Sequence, residues 1–233
     1  MTDDRYKDTA ALMRRVLPSL ASADPLNLGG CIRELGDYPY LHLDVEDGNF
    51  ISNITFGMKT IRAAAGVSKQ ELDAHLMVSD PRPWVEELLA AGIRNIAFHA
   101  ETQRYPYELL HRIREAGGRG GLAFNFMEDP AAALWYLDEL DYVLIMTSEP
   151  DGQDQLFRPD LIRKVRAVRQ MLPARVSICV DGGVSQSNMV QLSQAGADSL
   201  VMGRAVWNTE KPGETAARFC RVLNQTGQAG GYS

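Results

Sequence analysis

Hydrophobic and polar positions along the chain follow two alternating periods. Short runs of apolar and β-branched residues are typical of strands, and longer stretches with an apolar position every three or four residues are typical of amphipathic helices. The predicted strands are Leu17–Leu20, Tyr40–Asp44, Glu71–His75, Asn95–Phe98, Gly121–Phe124, Tyr142–Met146, Arg175–Val180 and Ser199–Met202. The predicted helices are Pro83–Ala91, Tyr105–Ala116, Pro130–Leu137, Arg158–Met171, Gln186–Gln194 and Gly213–Asn224.

Strands that alternate with helices in this number predict a (β/α)8, or TIM, barrel. A doubly wound open sheet is the alternative, and it predicts a glycine-rich phosphate turn after the first strand. Here the first strand is followed by ASADP instead, so the barrel is favoured. We predict a single domain over residues 1–233, with an extra helix over 1–16 and a mobile tail over 226–233.

Composition and charge narrow the class of protein. The chain has 45% hydrophobic and 23% charged residues, a globular balance, and no apolar run of membrane-spanning length. The cysteines Cys31, Cys179 and Cys220 are scattered, which favours a reducing compartment, and we see no secretion signal. The net charge of −6 argues against nucleic acid or an anionic membrane as partner. We therefore expect a cytoplasmic protein that binds a small molecule, as a homo-oligomer.

Several predicted strands carry polar residues at their carboxyl ends, where barrel enzymes place their chemistry. Because side chains alternate across a strand, His42, Asp44 and Glu46 share the inward face of the second strand. His75 faces inward on the third strand, and Asp181 does so on the seventh. Two imidazoles and two carboxylates form a complete ligand set for a divalent ion such as zinc, manganese, iron or cobalt. The alternative, four unrelated buried polar residues, is disfavoured by their convergence.

Eight segments of the chain form a recognisable series: LPSLASADPLNL, LHLDVEDGNFISNITFG, LDAHLMVSDP, AFHAE, GLAFN, VLIMTSEPDGQDQ, VDGGVSQSN and AGADSLVMGRAVW. In order and in spacing they resemble the ribulose-phosphate 3-epimerase family, a group of ribulose-phosphate-binding barrels. The similarity runs from about Leu17 to Asn208 and looks closest to a divergent branch of sugar-phosphate epimerases from bacterial sugar-utilisation operons.

The resemblance implies a metal-dependent 3-epimerase of a ketose phosphate. One divalent ion, with zinc expected before manganese, iron or cobalt, would be held by His42, Asp44, His75 and Asp181. Asp44 would remove the C3 proton on one face of the sugar, and Asp181 would return a proton on the other. The implied substrate-binding residues are Ser19, His75, Gly182, Gly183, Gly203 and Arg204.

The chemistry is consistent with these residues. A proton α to a ketone is too weakly acidic for a carboxylate alone, and a divalent cation at the ketone oxygen stabilises the enediolate. Inversion at carbon then needs an acid and a base on opposite faces of a planar intermediate. Carboxylates from two different strands satisfy that requirement.

Two departures from the family pattern concern substrate recognition. Glu46 stands where the family usually has methionine, and the loop that is commonly NPGFGGQ is EPDGQDQ here. Arg204 replaces a small hydroxyl residue and would supply positive charge. The candidate specificity residues are Glu46, Met77, Met146 and Gln153, although barrel packing is an equal alternative for the two methionines. We therefore expect a ketose phosphate other than D-ribulose 5-phosphate.

Two other functions are possible on such a barrel. A sugar-phosphate lyase or decarboxylase generally uses a strand lysine beside aspartates, and no strand-end motif here contains lysine. A non-catalytic sugar-phosphate-binding protein is expected to lose acid, base or ligands, which this chain keeps. We further expect Asp73 to accept a hydrogen bond behind the ligands, His99 to play a structural or supporting role, and His111 to face solvent.

Overall fold

The computed structural model describes residues 13–149 and 156–228 and forms a parallel eight-stranded barrel. Hydrogen-bonded neighbours run in the order β1-β8-β7-β6-β5-β4-β3-β2, and a parallel bridge between Ser19 and His42 joins the end of β1 to β2. The predicted TIM barrel is therefore confirmed. The strands are β1 Arg15–Pro18, β2 Tyr40–Glu46, β3 Glu71–Met77, β4 Asn95–His99, β5 Arg119–Phe124, β6 Tyr142–Met146, β7 Ser177–Asp181 and β8 Ser199–Met202.

Helices cover the outside of the barrel. Within the described residues they are α1 Leu28–Glu34, α2 Met58–Val67, α3 Pro81–Ala90, α4 Pro106–Glu115, α5 Leu161–Met171, α6 Met189–Gln194, α7 Arg204–Trp207 and α8 Pro212–Gln228. Helices α1, α2 and α7 were not named from the sequence. Within the described residues, no helix combines the length and the apolar character that a membrane span requires.

One predicted α-helix has a different form. The segment Pro130–Tyr136, predicted as part of a helix over Pro130–Leu137, is a 3-10 helix that begins where the Asp129 side chain accepts a hydrogen bond from the Ala131 N–H. Pro130 and Ala133 are buried, whereas Trp135 is 86% exposed. Little apolar burial therefore stabilises an α-helix in this connection.

The structure describes part of the predicted N-terminal helix, 1–16, and part of the predicted C-terminal tail, 226–233. Residues 13–16 are not helical, because β1 begins at Arg15, which lies beside Ser199 of β8 in the sheet register. The rest of the predicted extra helix, residues 1–12, lies outside the described residues. Residues 226–228, the first of the predicted mobile tail, form the end of α8, where Thr226 Oγ1 donates to the Val222 carbonyl at 3.0 Å. The mobility of the tail stays a prediction. Residues 229–233 lie outside the described part.

Alternation along the strands separates two layers of packing. On β2 the side chains of Leu41, Leu43 and Val45 join the cluster that lies between the barrel and its helices. A second cluster fills the barrel interior; its buried members are Leu17, Ala97, Ala123, Tyr142, Leu144, Met146, Cys179 and Val201. Apolar side chains thus fill the barrel interior, and the inward-facing polar residues lie at the carboxyl ends of the strands.

Candidate metal centre and active site

Four buried side chains converge at the carboxyl ends of β2, β3 and β7. His42, Asp44, His75 and Asp181 each offer one ligand atom, and these atoms all lie within 4.8 Å of one another. The sheet register explains part of this, because Asp44 lies directly beside His75 across β2 and β3. The four residues predicted to hold a divalent ion are therefore together in space.

The contacts of His42 fit a metal ligand. Its Nδ1 lies 2.6 Å from Asp73 Oδ1, which favours the proton on that nitrogen. Its Nε2 is then left with a lone pair that faces Asp44 Oδ1 at 3.3 Å and Asp181 Oδ2 at 4.0 Å. This buried nitrogen makes no hydrogen bond of normal geometry with a described residue. A lone pair that faces two carboxylates suits a cation. Asp73 was expected to accept a hydrogen bond behind the ligands, and the ligand that it contacts is His42.

His75 presents its Nδ1 to the cluster, whereas His42 presents its Nε2. Its Nδ1 lies 3.1 Å from Asp181 Oδ2, while its Nε2 lies 2.9 Å from His99 Nε2. Burial lowers the pKa of His99 to about 4, so this ring is neutral.

His111, expected to face solvent, is 43% exposed and lies 3.3 Å from Glu139 Oε1.

The two aspartates have different electrostatic surroundings. Without a bound metal, burial works to raise the pKa of Asp44, but the positive charge of a protonated His42 and the contacts with His42 and His75 hold that pKa well below its ordinary value. Burial and the Asp44 carboxylate raise the pKa of Asp181. A bound cation would add its own charge to this balance. Of the two carboxyls, Asp181 therefore has the higher pKa in the metal-free protein.

A cavity of about 750 Å³ lies over the cluster. Of the residues predicted to bind the metal or the substrate, those that line it are Ser19, Asp44, Glu46, Met77, Met146, Asp181, Gly182, Gly183, Gly203 and Arg204. His42 and His75, also predicted, are fully buried and are not among the described residues of the wall. Their contact with a small molecule in this cavity would pass through a bound ion.

The turn after β7 requires glycine. Gly182 and Gly183 have φ angles of 106° and 65°, in the left-handed region that favours glycine. A Cβ at Gly182 would also lie 2.3 Å from Ser148 Oγ. Glycine at these positions therefore lets the backbone turn at the cavity wall and pack closely against Ser148.

Glu46 lies in the cavity wall with a partner that the sequence did not identify. Its side chain is nearly buried, and Asn53 Nδ2 donates to Glu46 Oε2 at 2.5 Å. Burial and the nearby Asp44 raise the pKa of Glu46 to about 7. The loop after β2 folds back through an antiparallel bridge between Asp47 and Ile54, which brings Asn53 to the wall.

Other parts of the wall were also missed or lie outside the described residues. Ser22, Thr55 and Ser185 line the cavity, although none of them stands at the end of a predicted strand. Gln153, a predicted specificity residue, lies in the segment 150–155, which is outside the described residues. The expectation about the EPDGQDQ loop therefore stays a prediction.

Parallel strands closed into a barrel, with polar residues gathered at their carboxyl ends, define a TIM-barrel enzyme. Residues 15–207 match the model of the ribulose-phosphate 3-epimerase family. The chain belongs to this family, as its sequence motifs predicted, and it is an isomerase that acts on carbohydrate phosphates.

Individual comparisons agree with this assignment. The chain is 37% identical to the ribulose-phosphate 3-epimerase of Synechocystis sp., with 87% of this chain and 91% of the relative covered. It is 35% identical to the cytoplasmic isoform of this enzyme from Oryza sativa subsp. japonica, over 88% and 92% of the two chains. The barrel is also similar to 3-hexulose-6-phosphate synthase from Salmonella typhimurium, with a TM-score of 0.70, 19% identity and coverage of 91% and 99%. This last likeness concerns the fold alone.

Proposed function

We propose that this protein is a metal-dependent 3-epimerase of a ketose phosphate. The observation that carries the proposal is the convergence of His42, Asp44, His75 and Asp181 beside the cavity. The donor set suits zinc first, with manganese, iron or cobalt as alternatives. When bound, such a cation supplies Lewis acidity that makes the proton α to the substrate ketone easier to remove.

The two aspartates move the proton at C3. Asp44 on β2 removes it from one face of the sugar, and Asp181 on β7 delivers a proton to the opposite face. Their different strands and the cavity wall that both occupy support these roles. Ser19 Oγ donates to Asp44 Oδ2 at 2.5 Å, which orients that carboxylate and places the hydroxyl where it can contact substrate.

The phosphate binds at the end of the cavity formed by the turns after β7 and β8. Gly182, Gly183 and Gly203 offer main-chain N–H groups there, and Arg204 contributes positive charge. This assignment is supported by the position of all four residues in the cavity wall. Cytoplasmic location, a sugar phosphate as the partner and homo-oligomerisation belong to the same proposal.

Solvent deuterium distinguishes this proposal from the two alternatives. In D2O, we expect the enzyme to place one deuterium at C3 of a ketose phosphate while both epimers form, as followed by NMR. A lyase or decarboxylase would give shorter products, and the eight strands contain no lysine to support that chemistry. If the protein binds several ketopentose and ketohexose phosphates but exchanges deuterium into none of them, the epimerase assignment is contradicted.

Substrate choice is expected to depend on Glu46. Unlike methionine, this carboxyl accepts a hydrogen bond from Asn53 and can also hydrogen-bond a sugar hydroxyl. We predict that a ketose phosphate other than D-ribulose 5-phosphate has the highest kcat/KM. Glu46→Met should lower kcat/KM for that substrate more than for D-ribulose 5-phosphate.

Glu46→Gln is the matched control, because glutamine keeps the size and an acceptor oxygen. It should retain more of the wild-type preference than Glu46→Met does. A tenfold advantage of D-ribulose 5-phosphate in the wild-type enzyme, about 1.4 kcal/mol of transition-state free energy, would show that the specificity hypothesis is wrong.

A further inference from the structure

His75 and His99 meet edge to edge inside the barrel. Their Nε2 atoms are 2.9 Å apart, and the ring centroids are 5.0 Å apart with 23° between the ring planes. This centroid distance is close to the largest that the short N···N contact allows, so the two nitrogens point at each other. Such a contact is stable only when one nitrogen carries a hydrogen and the other a lone pair.

The surroundings of His75 decide which nitrogen donates. Its Nδ1 faces Asp181 Oδ2 at 3.1 Å and Asp44 Oδ1 at 3.7 Å, within the group that could hold a metal. A ligand nitrogen must offer a lone pair, so the hydrogen of a neutral His75 then lies on Nε2. That N–H donates to His99 Nε2, which leaves the hydrogen of His99 on Nδ1.

The surroundings of His99 favour this tautomer. Its Nδ1 faces Glu101 Oε1 at 3.6 Å, an electrostatic contact that favours the hydrogen on this nitrogen. Asn125 Nδ2 donates to the same Glu101 oxygen. The Phe50 ring packs against His99 with centroids 4.7 Å apart. Both His75 and His99 are fully buried, so water cannot readily replace the acceptor.

We propose that His99, oriented by Glu101, is a positioning residue that fixes His75 as a metal ligand through Nδ1. The inference rests on the metal site of the proposed function. It also distinguishes the two candidate histidine ligands, because His42 is backed by the Asp73 carboxylate whereas His75 is backed by the His99 imidazole. No proton leaves this pair during turnover; its role is to orient the ring and set its tautomer.

His99→Phe tests the proposal, because phenylalanine keeps a buried ring and removes the acceptor. We expect the Kd for Zn²⁺, measured by competition with a chelator, to rise by about 10- to 100-fold. We also expect the visible absorption of the Co²⁺-loaded protein to change, since the His75 ring is no longer held. His99→Gln keeps a hydrogen-bond acceptor and should restore most of the affinity. His111→Phe, on the outer helix α4, is the control that should change neither readout.

If His99→Phe has unchanged Zn²⁺ affinity and an unchanged Co²⁺ spectrum, the inference about His99 is wrong while the proposed metal site stands. Wild-type protein that binds no Zn²⁺ would overturn both the inference and the proposed metal site, so the two failures are distinguishable. If His99→Phe does not fold, Glu101→Ala carries the test, because the Glu101 side chain is 35% exposed and tolerates truncation. It should weaken Zn²⁺ binding severalfold, and wild-type affinity in this variant would contradict the proposal.

Discussion

Asp181→Asn is expected to lower turnover by at least about 100-fold, and Asp44→Asn by a similar factor, because each removes a proton-transfer group. An amide at either position can neither accept nor return the C3 proton. Each substitution also removes a carboxylate oxygen from the group that could hold a metal. The measurement is kcat with saturating substrate, together with deuterium exchange at C3.

Metal content must be measured in the same samples, since loss of the ion would mimic loss of the base. Asp160→Asn is the control, because this carboxylate is half exposed and precedes α5 on the outside of the barrel. It should leave turnover unchanged. A metal-replete Asp181→Asn enzyme with near-normal turnover would refute the role assigned to Asp181.

Removal of the metal is expected to abolish the activity. We predict one divalent ion per chain, which a strong chelator removes and which added Zn²⁺ replaces with recovery of turnover. The same treatment should lower the Tm, because an ion that binds only the folded cluster stabilises the folded state. Without it, the charges of two buried aspartates are offset only by protonation of the neighbouring histidines.

Elemental analysis of freshly purified, well-folded protein checks this prediction. Absence of a stoichiometric divalent metal, combined with full activity in chelator, would contradict it. Mutation and chelation test different steps, because a metal-replete aspartate variant keeps the ion but lacks one carboxylate, whereas the chelated wild type lacks the ion but retains both carboxylates.

Local patterns in the sequence were sufficient for the architecture. The apolar runs predicted a strand in each of the eight places, and Tyr142–Met146 and Ser199–Met202 agree with β6 and β8. The bounds of the first strand were wrong, since Leu17–Leu20 was predicted whereas β1 is Arg15–Pro18 and Leu20 begins a 3-10 helix. Strand parity also predicted that His42, Asp44 and Glu46 face inward, since alternation is a property of the extended chain itself. The carboxyl ends of parallel strands meet at one end of a barrel, so the ligand group followed from the fold class.

Helix boundaries and short helices were harder to predict from the sequence. Helix α7 has four residues and α1 has seven, too few for a periodic pattern to emerge. The 3-10 segment Pro130–Tyr136 has helix-forming residues, but its conformation depends on how little of it packs against the barrel. These features depend on packing and not on propensity alone.

The sequence by itself therefore determined the barrel, the strands that carry the polar residues, and the four residues of the cluster. The tertiary structure alone decided which groups stand behind or beside them. Asn53 reaches Glu46 because the loop folds back, and His99 meets His75 because β4 lies next to β3. The physical reason is that parity and period are set by each strand separately, whereas a hydrogen bond between two side chains depends on register, loop path and rotamer together.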